Sequence, residues 1–237
     1  MRRTAVLLRV LLALLLVFCL IAYLAGSLAS LAVDGDRMLQ KMNSYSVTSL
    51  SGVQAQEYPA LASSLTEYLK GKADTPQIQV IKYGESASAF SQKEIQHLED
   101  IKDLIALANS LRYTALGLAV MAIIAFFVIR KTASPGLIGI IKPQRALSLA
   151  LFLFFGAALV LAVWGLIDFN SLFYAFHRVL FRNDLWLLDA RQDLLLQLMP
   201  EDFFVSYALD LMKNSALILL SLPLAAYAFH KAGKENA

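Results

Sequence analysis

Four runs of this chain are apolar for long enough to cross a bilayer, and the stretches between them are polar, amphipathic or charged. A hydrocarbon core about 30 Å thick takes roughly 20 apolar residues in helical form. Residues 10–33 carry no charge, residues 111–129 are interrupted only near their start by Arg112, and residues 146–167 are uncharged and rich in Leu, Phe and Ala. The fourth run ends at Phe229. Its clean part, 215–229, is short, so its helix is expected to begin upstream and to carry Asn214, Lys213 or Asp210 near one membrane face, with Pro223 as a kink site.

The stretch after the first run, 34–110, is long enough for a small cap. Residues 45–50 and 78–83 have strand-like content, and residues 59–70 read as a helix with Pro59 in its first turn and Gly71 as its stop. Ser91-Gln-Lys-Glu94 is a capping box, in which serine and glutamate each satisfy the other's unpaired amide, flanked by Phe90 and Ile95 as a hydrophobic staple. A helix starting at Ser91 is expected to run on toward the second span. At 100° per residue Ile95, Leu98, Ile101, Leu104, Ile105 and Ala108 share an apolar arc that includes His97, with Glu99, Lys102 and Asp103 opposite.

The stretch 168–208 is shorter. Phe173, His177, Leu180 and Phe181 fall on one helical face with Phe176 beside them. Asn183, Asp184, Trp186, Asp189 and Asp193 follow, then an apolar run, 194–199, closed by Pro200. An aromatic amphipathic piece so close to two spans belongs in the membrane interface.

Composition agrees with a membrane protein. Of 237 residues, 58% are hydrophobic and 16% charged, against roughly 45–50% and about 25% in soluble domains, and the mean hydropathy is +0.60. The single cysteine, Cys19, leaves no internal disulfide, thiolate cluster or CxxC redox motif. The net charge of +3 is too small to suggest nucleic acid, and its distribution is more informative. Arg2, Arg3 and Arg9 precede the first span without an acid. Arg130, Lys131, Lys142 and Arg145 lie between the second and third, again without one. Lys231 and Lys234 follow the fourth against Glu235. Residues 34–110 hold ten acids against seven bases, and 168–208 six against three. Basic stretches stay cytoplasmic.

The expected architecture is therefore an all-α membrane protein of four transmembrane helices with both termini cytoplasmic. A small α+β extracytoplasmic cap joins helices 1 and 2, and an interfacial aromatic helix joins helices 3 and 4. The map runs 1–33 for the N-terminus and first helix, 34–110 for the cap, 111–129 for the second helix and 130–145 for a cytoplasmic loop. It continues 146–167 for the third helix, 168–208 for the interfacial segment and 209–237 for the fourth helix and cytoplasmic tail. The first run resembles a signal peptide, but 24 residues exceed the 7–15 of a cleavable apolar region, so it reads as a retained anchor.

Candidate chemistry centres on histidine. His230 follows the fourth span beside Lys231 and reads as a helix-end cap. His97 and His177 sit on apolar faces of the two outer stretches. His97 is open to two readings: a packed core histidine, or a functional imidazole oriented by Glu94 or Asp100, one turn away on the helix. Phe173, Phe176, Phe181 and Trp186 are accounted for by an aromatic belt, which leaves His177 unexplained. Two further classes stay open. One is a metal-dependent membrane hydrolase with His97, His177 and a carboxylate as ligands, although no HExxH spacing is present. The other is a non-catalytic lipid-binding protein.

Phe90-Ser-Gln-Lys-Glu94-Ile-Gln-His97-Leu-Glu-Asp100-Ile resembles one hallmark of the bacterial lipoprotein intramolecular transacylase (Lit-type) family. Phe176-His177-Arg-Val-Leu-Phe181-Arg-Asn183-Asp-Leu-Trp186-Leu-Leu-Asp189 resembles the other, continued by Asp193 and Pro200-Glu201-Asp202-Phe203-Phe204. The four-span layout is similar too. Leu98 stands where the family commonly has Met and Ala190 where it commonly has Pro; both bear on local turn geometry, not chemistry.

The resemblance implies acyl transfer at the outer face of a bacterial cell membrane, with diacylglyceryl-modified lipoproteins as substrate partners, membrane lipid as surroundings and no cofactor or metal. The sn-2 acyl chain would move to the α-amine of the N-terminal cysteine and leave a lyso-form lipoprotein. Amine and ester belong to one molecule, so attack closes an eight-membered ring without an acyl-enzyme, and the chain accordingly has no G-x-S-x-G elbow. His97 and His177 are the implied catalytic pair, with His97 as base and His177 as donor to the oxyanion or leaving oxygen. Glu94, Asp100, Asn183 and Trp186 support them: the two acids orient His97, and Asn183 helps bind lipid or the lipoprotein backbone. Asp189 and Asp193 read as caps.

Overall fold

The computed structural model describes residues 2–46, 51–132, 156–157 and 159–215. Helix α1 (Arg2–Ala32) and helix α4 (Gln92–Thr132) are the two long rods, packed along one another. Between them in sequence lie α2 (Gly35–Tyr45), a single 3-10 turn (Ala55–Glu57), α3 (Tyr58–Leu69) and the antiparallel strands β1 (Gln79–Lys82) and β2 (Glu85–Ser88). Residues 159–167 are helical, followed by α5 (Phe169–Leu180), α6 (Leu194–Leu198) and a helical stretch over 201–215.

Both α1 and α4 contain a stretch long and apolar enough to cross a membrane. The side chains of Val120, Met121, Ile124, Phe127 and Val128 on α4 are each more than half exposed, the pattern expected where lipid, not protein, covers a helix. At 1.5 Å per residue, the 41 residues of α4 extend about 60 Å, twice the hydrocarbon thickness. Its apolar half, 111–129, is long enough to cross, and its polar N-terminal half packs in the cap. The capping box starts this helix as expected: the Ser91 amide donates to Glu94 Oε2 at 2.7 Å, and the Glu94 amide donates to Ser91 Oγ at 3.3 Å.

The cap core is built on α3, whose buried face comprises Tyr58, Leu61, Ala62, Leu65, Tyr68 and Leu69. Against it pack Met38 and Met42 of α2, Val80 of β1, Phe90 and Leu98 beside the capping box, and Leu194 and Leu198 of α6. Ions tie α2 to the stretch 201–215: Arg37 Nη1 lies 3.0 Å and Lys41 Nζ 2.8 Å from Asp210 Oδ2, and Lys41 Nζ also donates to Ser206 Oγ at 2.8 Å.

Three cap features differ from expectation. Helix α2 was not anticipated, because its residues are mostly polar and its apolar contacts come from Met38 and Met42. The expected strand at 45–50 begins with Tyr45, the last residue of α2, and Ser46, its C-cap, and the remainder, 47–50, lies outside the described residues. The partner of β1 is instead β2, whose Glu, Ser and Ala have no strand preference. A two-residue turn pairs the strands: Tyr83 (φ 53°) and Gly84 (φ 88°) both have positive φ between the opposed Lys82 and Glu85, the type I′ arrangement that matches strand twist.

Of the third expected span only residues from 156 onward, and of the fourth only those to Ser215, are among the described residues. The charge asymmetry predicts that cysteines introduced at the exposed positions Lys72 and Asp184, with Cys19 replaced, react with an impermeant maleimide on intact cells. Labelling of either site only after permeabilisation would overturn the orientation.

Candidate active site

His97 and His177, 80 positions apart, meet beside the return segment, residues 181–195, that follows α5 and enters α6. Their ring centroids lie 6.2 Å apart, and the residues are only 5% and 7% exposed. Aromatic rings surround them. Phe173 is centred 4.0 Å, Trp186 5.0 Å and Phe181 5.6 Å from His177, and Phe181 meets His97 edge-on at 5.2 Å. Trp186 is itself held by Tyr174 at 5.5 Å. Of the aromatics expected in a belt, Phe173, Phe181 and Trp186 instead wall the histidine pair, while Phe176 is half exposed.

The helix that carries His177 also sets its tautomer. Asp168 caps α5, accepting from the Ser171 amide at 2.9 Å, and the helix brings His177 Nδ1 to 2.7 Å from the Phe173 carbonyl oxygen. A carbonyl oxygen only accepts, so Nδ1 carries the hydrogen and Nε2 keeps its lone pair. His97 differs: its Nδ1 is buried and lacks a hydrogen-bond partner among the described residues.

Three polar contacts from the first turns of α4 hold the return segment over the rings. Lys93 Nζ donates to the Leu187 carbonyl. Glu94 Oε1 accepts from the Leu195 amide at 2.6 Å. Asp100 Oδ2 accepts from Asn183 Nδ2 at 2.9 Å, while Asn183 Oδ1 takes the Leu185 amide at 3.1 Å. The expectation that Glu94 and Asp100 orient His97 is therefore revised. Glu94, 2% exposed, gives its oxygens to the amides of Ser91 and Leu195, and Asp100 faces Asn183. Asp193 Oδ2 accepts from the Asp189 amide at 2.7 Å and Asp189 Oδ1 from the Arg191 amide at 2.9 Å, both local turn contacts. The roles of Lys93 and of the Phe173 carbonyl were not foreseen. A carbonyl four residues before a helical histidine is a signal present in any helix, and the partner of Lys93 exists only in the folded chain.

Burial lowers the pKa of both imidazoles. His97 falls to about 4: burial is the largest cause, the adjacent His177 adds to it, Asp100 partly opposes it, and Lys93 reinforces it. His177 is lowered by burial, with its bond to the Phe173 carbonyl acting the other way. Both rings are thus neutral near pH 7. Imidazole NMR of the detergent-solubilised protein is expected to show His97 neutral as pH falls past 6.5 and charging only as it nears about 4. With three histidines in the chain, single substitutions assign the signals. A His97 midpoint at or above 6.5 would contradict the site's dryness.

These features define a class: a mostly helical membrane protein with a neutral histidine pair in an aromatic enclosure, supported by its cap. The profile of the family described as lipoprotein intramolecular transacylase Lit matches residues 12–204, and the chain belongs to that family. The in meso structure of the membrane integral lipoprotein intramolecular transacylase Lit from Bacillus cereus superposes with a TM-score of 0.66 over 97% of each chain. At 17% identity, that likeness is one of fold. No curated protein sequence matches the chain.

Proposed function

We propose that this protein moves the sn-2 acyl chain of a diacylglyceryl-modified lipoprotein to the α-amine of the same molecule's N-terminal cysteine, at the extracytoplasmic face of the bacterial cell membrane. The family supports the reaction class. The observation that carries the mechanism is the pairing of two neutral imidazoles 6.2 Å apart, one with its tautomer set by a backbone carbonyl.

The amine nitrogen attacks the ester carbonyl, and His177 Nε2 takes the proton that the nitrogen sheds. As the bond to the glyceryl oxygen breaks, the same imidazolium returns that proton to the leaving oxygen, so the products are an amide and a free hydroxyl with no net proton change. His97, neutral and in a dry site, donates an N–H to the oxyanion that forms between the two steps. This reverses the roles that the sequence suggested: a lowered pKa and the absence of an orienting carboxylate suit His97 to donation, and the Nδ1–H of His177 leaves its other nitrogen free to accept. Holding amine and ester in one bound molecule supplies much of the barrier reduction, up to about 7–11 kcal/mol for well-aligned groups. Asn183, Asp100, Glu94 and Trp186 act by positioning.

The test is mass spectrometry of lipoprotein N-termini after this protein is expressed in a bacterium without such an activity. N-acylated, lyso-form peptides are expected. Unchanged diacylglyceryl peptides with a free amine, at normal protein levels, would refute the proposal.

A further inference from the structure

Some 15 residues beyond His97 on α4, about 22 Å along the helix, a second site faces α1. A partly open cavity of about 360 Å³ lies between α1, α4 and the stretch 201–215, lined by Tyr23, Gly26, Ser27, Ser30, Arg112 and Asn214, with Asp34 and Arg37 also on its wall. Its level in the fold is unusual for such residues. Arg112 opens the apolar stretch of α4, and Gly26 lies seven residues inside the outer end of the apolar run 10–33, about 10 Å along that helix.

Charge in this cavity is unbalanced. Arg37 is paired with Asp34 and Asp210, and Lys41 with Asp210. Arg112 has no carboxylate or hydrogen-bond partner among the described residues; its guanidinium carbon lies 5.7 Å from the Tyr113 ring. Asp34 is already used, accepting from the Arg37 amide at 3.0 Å and Arg37 Nε at 3.4 Å, and it sits eight residues, about 12 Å, above Gly26 on the chain. The Tyr23 hydroxyl is buried and has no partner among the described residues. The lining is cut to fit the arginine: a Cβ on Gly26 would stand 2.9 Å from Arg112 Cδ and 3.0 Å from Nε. An ionised side chain at membrane depth is costly unless an opposite charge joins it.

We propose that this cavity binds the phosphate group of a bilayer phospholipid, with the Arg112 guanidinium as its counter-charge. A guanidinium offers a planar fork matched to phosphate oxygens, and Tyr23, Ser27 and Ser30 add hydroxyl donors around it. A lipid is favoured over free phosphate because the cavity lies between helices whose remaining faces are apolar. The site is separate from the histidine pair, so the proposal stands or falls independently of the acyl-transfer reading.

The test is native mass spectrometry of the full-length, delipidated protein in detergent, titrated with phosphatidylglycerol, diacylglycerol or inorganic phosphate. Phosphatidylglycerol is expected to bind with defined stoichiometry through Arg112, whereas any diacylglycerol bound is expected to be indifferent to Arg112. R112Q is expected to weaken phosphatidylglycerol binding about ten- to a hundredfold, and R112K less. G26A, which keeps every charge but displaces the guanidinium, is expected to weaken it as well, and it decides the matter if R112Q does not accumulate. Diacylglycerol binding that R112Q weakens as much as it weakens phosphatidylglycerol, or wild-type phosphatidylglycerol affinity in folded R112Q or G26A, would overturn the site. Inorganic phosphate binding without phosphatidylglycerol binding would overturn the lipid assignment.

Discussion

Replacing His177 by alanine is expected to lower formation of the N-acyl product by about 10²–10⁴-fold, the usual cost of removing a general acid–base group. His97→Ala is expected to cost about 10²–10³-fold, as for the loss of an oxyanion donor. Both variants should accumulate, because each leaves an apolar-walled space whose rings have other partners: Phe173 packs on Phe204 and Trp186 on Tyr174. The measurement is mass spectrometry of lipoprotein N-termini, normalised to membrane-inserted protein. Cys19→Ser serves as the control, since Cys19 is an exposed residue of α1. Near-normal product from either histidine variant at normal protein level would end the two-histidine mechanism, whatever the standing of the family. Asn183→Ala should do less, slowing the reaction several-fold, because it releases one of three contacts that hold the return segment.

Much of this site was legible in the chain because its signals are local. The Ser91–Glu94 spacing predicts a helix start on stereochemical grounds alone, and the helix does run from there through the second span. The apolar settings of His97 and His177, with the motifs around them, pointed to a shared site, and the two rings do meet. What the sequence could not show is how each polar group divides its bonds. Glu94 lies one turn from His97, and nothing in one-dimensional spacing tells that its second oxygen is taken by an amide 101 residues later. The proposed base and donor roles differ from those the sequence suggested for the same reason: those were drawn from nearby carboxylates, whereas the proposed ones rest on a backbone carbonyl of the other helix that sets the His177 tautomer. In the cap, α2 and β2 were missed because their residues carry weak intrinsic preference, and burial of Met38 and Met42 and a two-residue turn decide their structure instead.

The division of Glu94's bonds leads to the other large effect. Glu94→Ala is expected to destabilise the cap by about 1–3 kcal/mol, the cost of a buried unpaired amide, because it strands the Leu195 amide at the start of α6; the Ser91 amide at the start of α4, on an exposed residue, is also released. The carboxylate is 2% exposed and its contacts with them are 2.7 and 2.6 Å long, so water has little room to take its place. Turnover per folded molecule should fall no more than several-fold, as for Asn183→Ala, since no oxygen of Glu94 is bonded to His97. Glu94→Gln discriminates further. Its amide keeps one oxygen acceptor and replaces the other with a donor that would face a backbone N–H, so it should recover only part of the loss. Thermal unfolding in detergent measures the first effect, and product formed per folded molecule measures the second. If Glu94→Ala unfolds like the wild type yet loses turnover, Glu94 acts on the chemistry and its structural assignment fails. If stability falls and specific turnover stays within several-fold of the wild type, the carboxylate is the joint by which one capping box secures both the helix that bears His97 and the segment that closes over it.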